Sequence, residues 1–361
     1  MSAASDSAEI APDRLTYARD ELLESGSYAA PLIAGGVRCH GGFDESGAYR
    51  SPRTIHRMPA VRAWQARLAR DGHALLEIPR AAMPPQYPNV EQAALLLENG
   101  VRDPIVRTLT VISIVEGFGA IIRDVRVPDL ASLVVEPIEG TALAHLGGGL
   151  FEAHARDESG WKDEGGHKQM WEAARDLALE KPKIPGDVLL RMMGRQAARR
   201  RPERPFPQLD ETLERMLAIM AQVLVVEIFA EGTFDWGYRL LSNPKVSAAP
   251  EAAGAMVAHI RADESPHVEY LRTALSEVRA RTLRTVDGKT LSGRSVVDGL
   301  VHRILRDVTR TRPQEQRDDL RDSLAEAVKV APNPQRLLDE LGALDTEWTP
   351  PAHTGFEPAA G

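Results

Sequence analysis

The sequence predicts an all-α fold. Ala, Leu, Glu and Arg dominate long stretches with a helical apolar period, and strictly alternating Val/Ile/Thr runs are hard to find. No repeat of fixed short period is visible, which excludes a solenoid. The 361 residues, 43% of them hydrophobic, provide ample material for a buried core.

Residues 26–58 are rich in Gly, Ser and Pro and read as an ordered loop or wrapping arm. Pro59 suits the first position of a helix running to Asp71. A short helix from Val90 to Asn99 stops at Gly100, a C-terminal cap. The first long helix runs from Pro104 to Val125. In it Leu109, Ile112, Glu116 and Ala120 lie near one stripe, so Glu116 points where a core residue should. A glycine-containing helical stretch follows over Thr141–Glu158, and another helix over Lys162–Leu179. Pro182, Pro185 and Gly186 then interrupt before a short helix at Val188–Met193 and an Arg/Pro-rich connector, Gly194–Pro207. A long helix from Asp210 to Leu241 ends at Ser242-Asn243-Pro244, and its antiparallel partner runs from Pro250 to Arg281. Ser292–Leu344 reads as two or three amphipathic helices before a Pro-rich tail. The chain divides into an N-terminal arm with short helices (1–103), a helical bundle (104–285) and a C-terminal helical extension (286–361).

A net charge of −8 argues against a nucleic-acid binder. The single cysteine, Cys39, excludes an internal disulfide and any cysteine-ligated zinc or iron–sulfur site, which suits a reducing compartment. Met1–Pro12 shows no basic-then-apolar secretory pattern. The most apolar run, Met216–Phe229, is broken by Gln222 and Glu227 and is short for a bilayer span. A soluble, cytoplasmic protein without membrane or nucleic-acid partners is expected.

Two segments carry chemistry: Asp163-Glu164-Gly165-Gly166-His167 and Asp263-Glu264-Ser265-Pro266-His267. Both read Asp-Glu-x-x-His. Residues three apart share a helix face, so each Glu and His can grip one ion. A carboxylate beside an imidazole suits iron, manganese or zinc. The preceding Asp163 and Asp263 can accept the free ring N–H of a ligating histidine and so fix its tautomer. Gly-Gly and Ser-Pro are poor choices for a helix middle, which suggests a local requirement at the ions. The plainer alternative is that these residues open helices; for Pro266 that alternative splits the 250–281 helix.

Further carboxylates come from the other two helices. Glu116 has no Asn, Lys or Arg nearby in sequence, and a metal would resolve the cost of burying it. Glu227 and Glu231 share a face one turn apart. Glu231 is favoured because it is followed by glycine, as Glu116 is, and because its spacing to Glu264 suits a helical hairpin. Glu227 stands as the alternative or additional ligand.

This constellation resembles the ferritin-like non-haem di-iron carboxylate superfamily, in which two helices each give a Glu and two each give Glu-x-x-His. The resemblance spans residues 104–281 and rests on six positions. It implies a ferritin-like four-helix bundle with extra N-terminal and C-terminal helices. It also implies two iron ions, or a manganese–iron pair, held by Glu116, Glu164, His167, Glu231, Glu264 and His267. Glu164 and Glu264 would bridge the ions, with Asp163 and Asp263 behind the histidines. The implied function is that of an O2-dependent oxidoreductase, a monooxygenase or oxidase acting on a small organic or carrier-bound substrate. Hydroxylation, desaturation, N-oxygenation and C–C cleavage all stay open. A ferredoxin-type protein would donate electrons. Alternatives are a ferroxidase or metal-handling protein, and a metal-free helical interaction protein. Departures exclude a close subfamily match: Trp171 stands four after His167, where a radical tyrosine would be expected, and Ile260 stands where arylamine N-oxygenases add a histidine.

Four other features bear on function. Ile112, Phe118, Ile121, Phe229, Phe234 and Trp236 are candidates to line an apolar pocket, with ordinary core as the default. The glycine-rich stretch from His145 to His154 offers an extra ligand or substrate contact, with tight helix packing as the default. Arg191, Arg195, Arg199, Arg200, Arg201 and Arg204 form a basic cluster, read as a solvated connector or a docking site for an acidic partner. Cys39-His40 is discounted as a nucleophile with its base, because adjacent residues rarely face each other. A homodimer is the default assembly.

Overall fold

A computed structural model describes residues 14–80, 83–188 and 204–356. The chain is mostly helical, 58% helix and 8% strand. A short helix, α1 (Arg19–Leu22), precedes a three-stranded antiparallel sheet of β1 (Ala30–Ala34), β2 (Val37–Phe43) and β3 (Tyr49–Arg50). The segment expected as an irregular arm is therefore a small sheet. Gly35 and Gly36, both at positive φ, close the β1–β2 hairpin, and alternate β1 residues Leu32 and Ala34 face the core. The arm packs on the helix that starts at His167 and delivers His40 and Tyr49 to Asp263.

α2 (Arg57–Arg70) and α3 (Val90–Glu98) follow, the latter opened by an Asn89/Gln92 capping box. α4 (Asp103–Gly119) continues as a 3-10 turn, Ala120–Asp124, and the short α5 (Leu130–Leu133) leads on toward α6 (Phe151–Ser159). Next come α7 (His167–Ala178) and the long α8 (Glu211–Leu241), whose first N–H groups are capped by Asp210. α9 (Pro250–Asp263) and α10 (Ser265–Arg279) replace the single expected helix. Pro266 lacks the N–H that the carbonyl of Ala262 would need, and the helix resets at Glu264. A hairpin of β4 (Thr282–Arg284) and β5 (Thr290–Ser292) leads to α11 (Gly293–Arg306), α12 (Arg312–Ala327) and α13 (Pro334–Ala343), in line with the expected C-terminal helices.

The core is two hydrophobic clusters along α8. One gathers Met216, Leu217, Leu224 and Leu275 with α11; the other gathers Leu109, Trp171, Phe234 and Ile260. α4 packs on α6 and α7, α7 on α9, and α8 on both α9 and α10. Between the two clusters lies a belt of buried polar side chains. Asp103–Asp124 and Glu211–Leu241 are each long and apolar enough to cross a membrane by length and composition. Each also carries a glutamate near its middle, Glu116 and Glu227, directed at that belt. The expected helix at Val188–Met193, beyond Val188 itself, and the arginines from 191 to 201 lie outside the described residues; Arg204 pairs with Glu214 at 2.6 Å.

Candidate metal centre

One half of the belt is built on a break between helices. α6 carries His154, Asp157 and Glu158, all buried, and stops at Ser159. Gly160 takes φ of 82°, a conformation that disfavours side chains. Trp161 and Glu164 then exchange backbone hydrogen bonds of 2.9 and 3.1 Å across a tight turn. Gly165 docks on β2, its N–H donating to the Arg38 carbonyl (2.8 Å) and its carbonyl accepting from His40 N–H (2.9 Å). Gly166 precedes α7, so His167 is that helix's first residue. Glycines 165 and 166 thus open a helix.

Glu164 therefore shares no helix with His167. Its carboxylate faces outward, 3.3 Å from Arg38. Asp163 is exposed in the turn. Glu158, at the end of the preceding helix, occupies the place expected of Glu164, and Asp157 that of Asp163. Gly119 of α4 makes room for it, since a Cβ there would sit 2.7 Å from Glu158 Cγ.

The other half keeps its motif in nearly continuous helix. Glu264 stands at the α9–α10 junction and His267 one turn on, with His267 Nδ1 2.7 Å from Glu264 Oε2. On α8 the glutamate buried at the belt is Glu227. Glu231 lies one turn away on the same stripe, but there α9 presents Arg261, and the two form a partly exposed ion pair. Arg261 supplies the charge that Glu231 needs, so Glu227 and not Glu231 reaches the belt.

Around the centre, His167 Nδ1 lies 2.9 Å from Glu264 Oε1 and 3.5 Å from Glu158 Oε1. His267 Nδ1 lies 3.1 Å from the same Glu158 oxygen. Glu158 and Glu264 thus sit between the two imidazoles. His154, from the glycine-rich stretch, stacks on His267 with centroids 3.9 Å apart and points Nε2 at Glu227 Oε1, 3.3 Å away. Glu116, half-buried, neighbours Glu158, His167 and Trp171. Among the described residues three groups have ligand atoms mutually within 4.8 Å: His154, Glu158, Glu227 and His267; Glu158, His167, Glu264 and His267; and His40, His167 and Asp263.

An outer ring orients the histidines. Asp157 Oδ2 is 3.0 Å from His267 Nε2, and Asp263 Oδ2 is 3.6 Å from His167 Nε2. With His267 Nε2 donating to Asp157, its Nδ1 lone pair faces the centre; His167 Nε2 faces Asp263 without a well-formed hydrogen bond. Asp263 thus has its expected place, although the histidine it faces is on the opposite half. Asp157 also accepts from Arg57 Nη2 (2.7 Å) and Arg53 Nε (2.6 Å), while Asp263 accepts from Tyr49 Oη (2.8 Å) and His40 Nε2 (3.2 Å). His40 thus acts through Asp263 and not with Cys39.

The electrostatics are those of a crowded acid cluster. Burial, with Glu116 and Glu227 adding their charge, raises Glu158 well above the usual carboxylate range; burial with Glu227 and Glu158 does the same to Glu264. Burial pushes Glu116 up to about 7. Burial opposes ionisation of Glu227 too, yet His154 holds it at about 2. Burial and the neighbouring His154 lower His267 to about 3, whereas the charges of Glu264 and Glu158 overcome burial and raise His167. Both Glu158 oxygens, Glu264 Oε1, His167 Nδ1 and His154 Nε2 are buried without a well-formed hydrogen bond among the described residues. Such atoms are costly unless something binds them. These buried clusters can hold metal.

Of the residues named from sequence, the structure brings Glu116, His167, Glu264, His267, Asp263 and the alternative Glu227 together, and leaves Glu164, Glu231 and Asp163 outside. Sequence reasoning missed Glu158, Asp157 and His40. One signal was present: Asp157-Glu158 repeats the Asp-Glu of 263–264 at the end of a helix whose His154 lies one turn earlier. The six candidate residues do not share one pocket: Phe229 and Trp236 line a cavity beside Glu231 and Arg261, Phe234 is core, and Phe118 and Ile121 are exposed. Comparison with protein-family models, with curated proteins and with solved structures finds no match in any of the three.

Proposed function

We propose that the chain is an O2-dependent dinuclear metal oxidase or oxygenase of ferritin-like type, using iron. The observation that carries this reading is the convergence of unpaired buried donors from Glu158, Glu264, His167 and His154 on one point. Four carboxylates, Glu116, Glu158, Glu227 and Glu264, match the charge of two divalent ions. Three imidazoles complete a nitrogen–oxygen donor set without sulfur, which suits iron or manganese. The placement of one Glu on α4, one on α8 and Glu/His combinations on the remaining helices supports the ferritin-like reading.

Glu116 and His167 would hold one ion, and Glu227, His267 and His154 the other, with Glu158 and Glu264 shared. A pair of iron ions bound there supplies two-electron reduction of O2. The chain's own part is to fix the imidazoles through Asp157 and Asp263 and to keep water away with Trp171, Tyr270 and Phe151, all buried. Oxygenation of an organic substrate consumes one O2, two electrons and two protons, so an electron donor of ferredoxin type is part of the proposal. A metal-free interaction protein fits less well, because it would leave both Glu158 oxygens buried without a hydrogen bond.

Elemental analysis of the chain expressed with iron, beside E158A and E264A, tests the reading. About two ions per chain, lost in both variants, is the expected result; metal-free protein overturns it. O2 uptake that requires an organic substrate would separate an oxygenase from a ferroxidase, which consumes O2 with Fe(II) alone.

A further inference from the structure

The two aspartates behind the histidines are held by different partners. Resting on the dinuclear reading above, we infer that the two metal positions are unequal. The one beside His167 and Glu116 takes the first divalent ion, and the one beside His267, His154 and Glu227 takes the second at lower affinity.

Asp157, behind His267, bonds two buried guanidinium groups, Arg53 and Arg57. That outer layer carries one negative and two positive charges, a net cation. Asp263, behind His167, bonds Tyr49, a phenol, and His40, an imidazole, with no guanidinium among its partners. Even with His40 charged, that outer layer carries less positive charge than its counterpart. Salt screens buried charges weakly, so a dication entering the His267 side meets a more repulsive field. His154 is the counterweight, a second imidazole on the His267 side alone. It favours ions that prefer nitrogen, so an oxygen-preferring ion exposes the outer-layer effect best.

All four outer residues come from the arm and the start of α2, not from the helices that bear the ligands. The arm therefore sets the inequality without touching either ion.

Titration of the metal-free full chain with Mn(II), followed by the electron paramagnetic resonance of free ion, tests this. Anomalous diffraction at one equivalent locates the first ion. Expected are a first ion beside His167 and two dissociation constants at least about tenfold apart. Arg53→Gln removes one positive charge and should strengthen the second ion, narrowing the gap; the wild-type titration stands alone if that variant fails to fold. Equal constants, a first ion beside His267, or an unchanged gap in folded R53Q would overturn the inference while leaving the dinuclear reading intact. No Mn(II) bound at either position would overturn both.

Discussion

The two halves of the centre deliver the same side chains by different local means. On the α9–α10 side, Glu264 and His267 share one helical turn, and the only disturbance is the reset forced by Pro266. On the α6–α7 side, Glu158 ends one helix and His167 begins the next, with a glycine-bounded turn between them. A short Glu-x-x-His motif therefore places both side chains at the cluster only where the helix runs through it. Where the helix breaks, the residue with the right spacing is turned to solvent and one further back takes its position.

The largest effect should separate Glu158 from Glu164. Glu158→Ala is expected to strip most bound metal, whereas Glu164→Ala should leave metal content unchanged. The reverse result by elemental analysis would restore the continuous motif on both halves. Next in size is the ring behind the histidines. Arg57→Met leaves a buried aspartate partly uncompensated and should cost about 3–5 kcal/mol in urea unfolding. Tyr49→Phe, on the other half, removes one hydrogen bond to a charged acceptor and should cost about 1.5–3 kcal/mol. Equal losses would erase the distinction between the two outer layers.

Acid should act through the same pair. Asp157 and Asp263 are held below the usual range, against burial, Asp157 by Arg53 and Arg57 and Asp263 by His167 and His40. A carboxylate with a folded pKa below its unfolded value stabilises the fold above about pH 3.9, and that stability drains away as pH falls through the lower folded value. Glu116, raised to about 7, runs the other way: metal-free protein loses stability as pH rises from about 4.3 through 7. Urea midpoints across pH 3–8, with and without metal, should show the acid arm in both forms and the neutral arm only in the metal-free one. An identical profile in both forms would remove Glu116 from the site.

Smaller effects sharpen the same contrast. Gly119→Ala pushes on Glu158 and should cost about 1–3 kcal/mol along with weaker metal binding. Glu231→Ala breaks only a partly exposed pair with Arg261, so its stability cost should stay under about 1 kcal/mol with full metal content. Loss of metal in E231A would move the α8 ligand one turn along.

Much of the fold was legible because helical period and capping residues are local signals: α3 ends next to Gly100, α8 starts after Asp210 and ends before Ser242, as read. The sheet in residues 26–58 was not, because its strands are short and lean on α7. The choice between Glu227 and Glu231 turned on a charge from another helix, Arg261, and the sequence stripe alone treats the two alike. Asp263 was readable from its place beside a ligand. Arg53, Arg57, His40 and Tyr49 were not, since only the fold brings the arm to the bundle.

That arm has a consequence for how the protein is made. His40 and Asp263 meet across 223 positions of chain. The N-terminal contributors would leave the ribosome long before His267, the last residue of the proposed centre, has been synthesised. A fragment that stops short of α10 lacks the complete centre. Metal content would therefore separate such fragments from chains that reach beyond it.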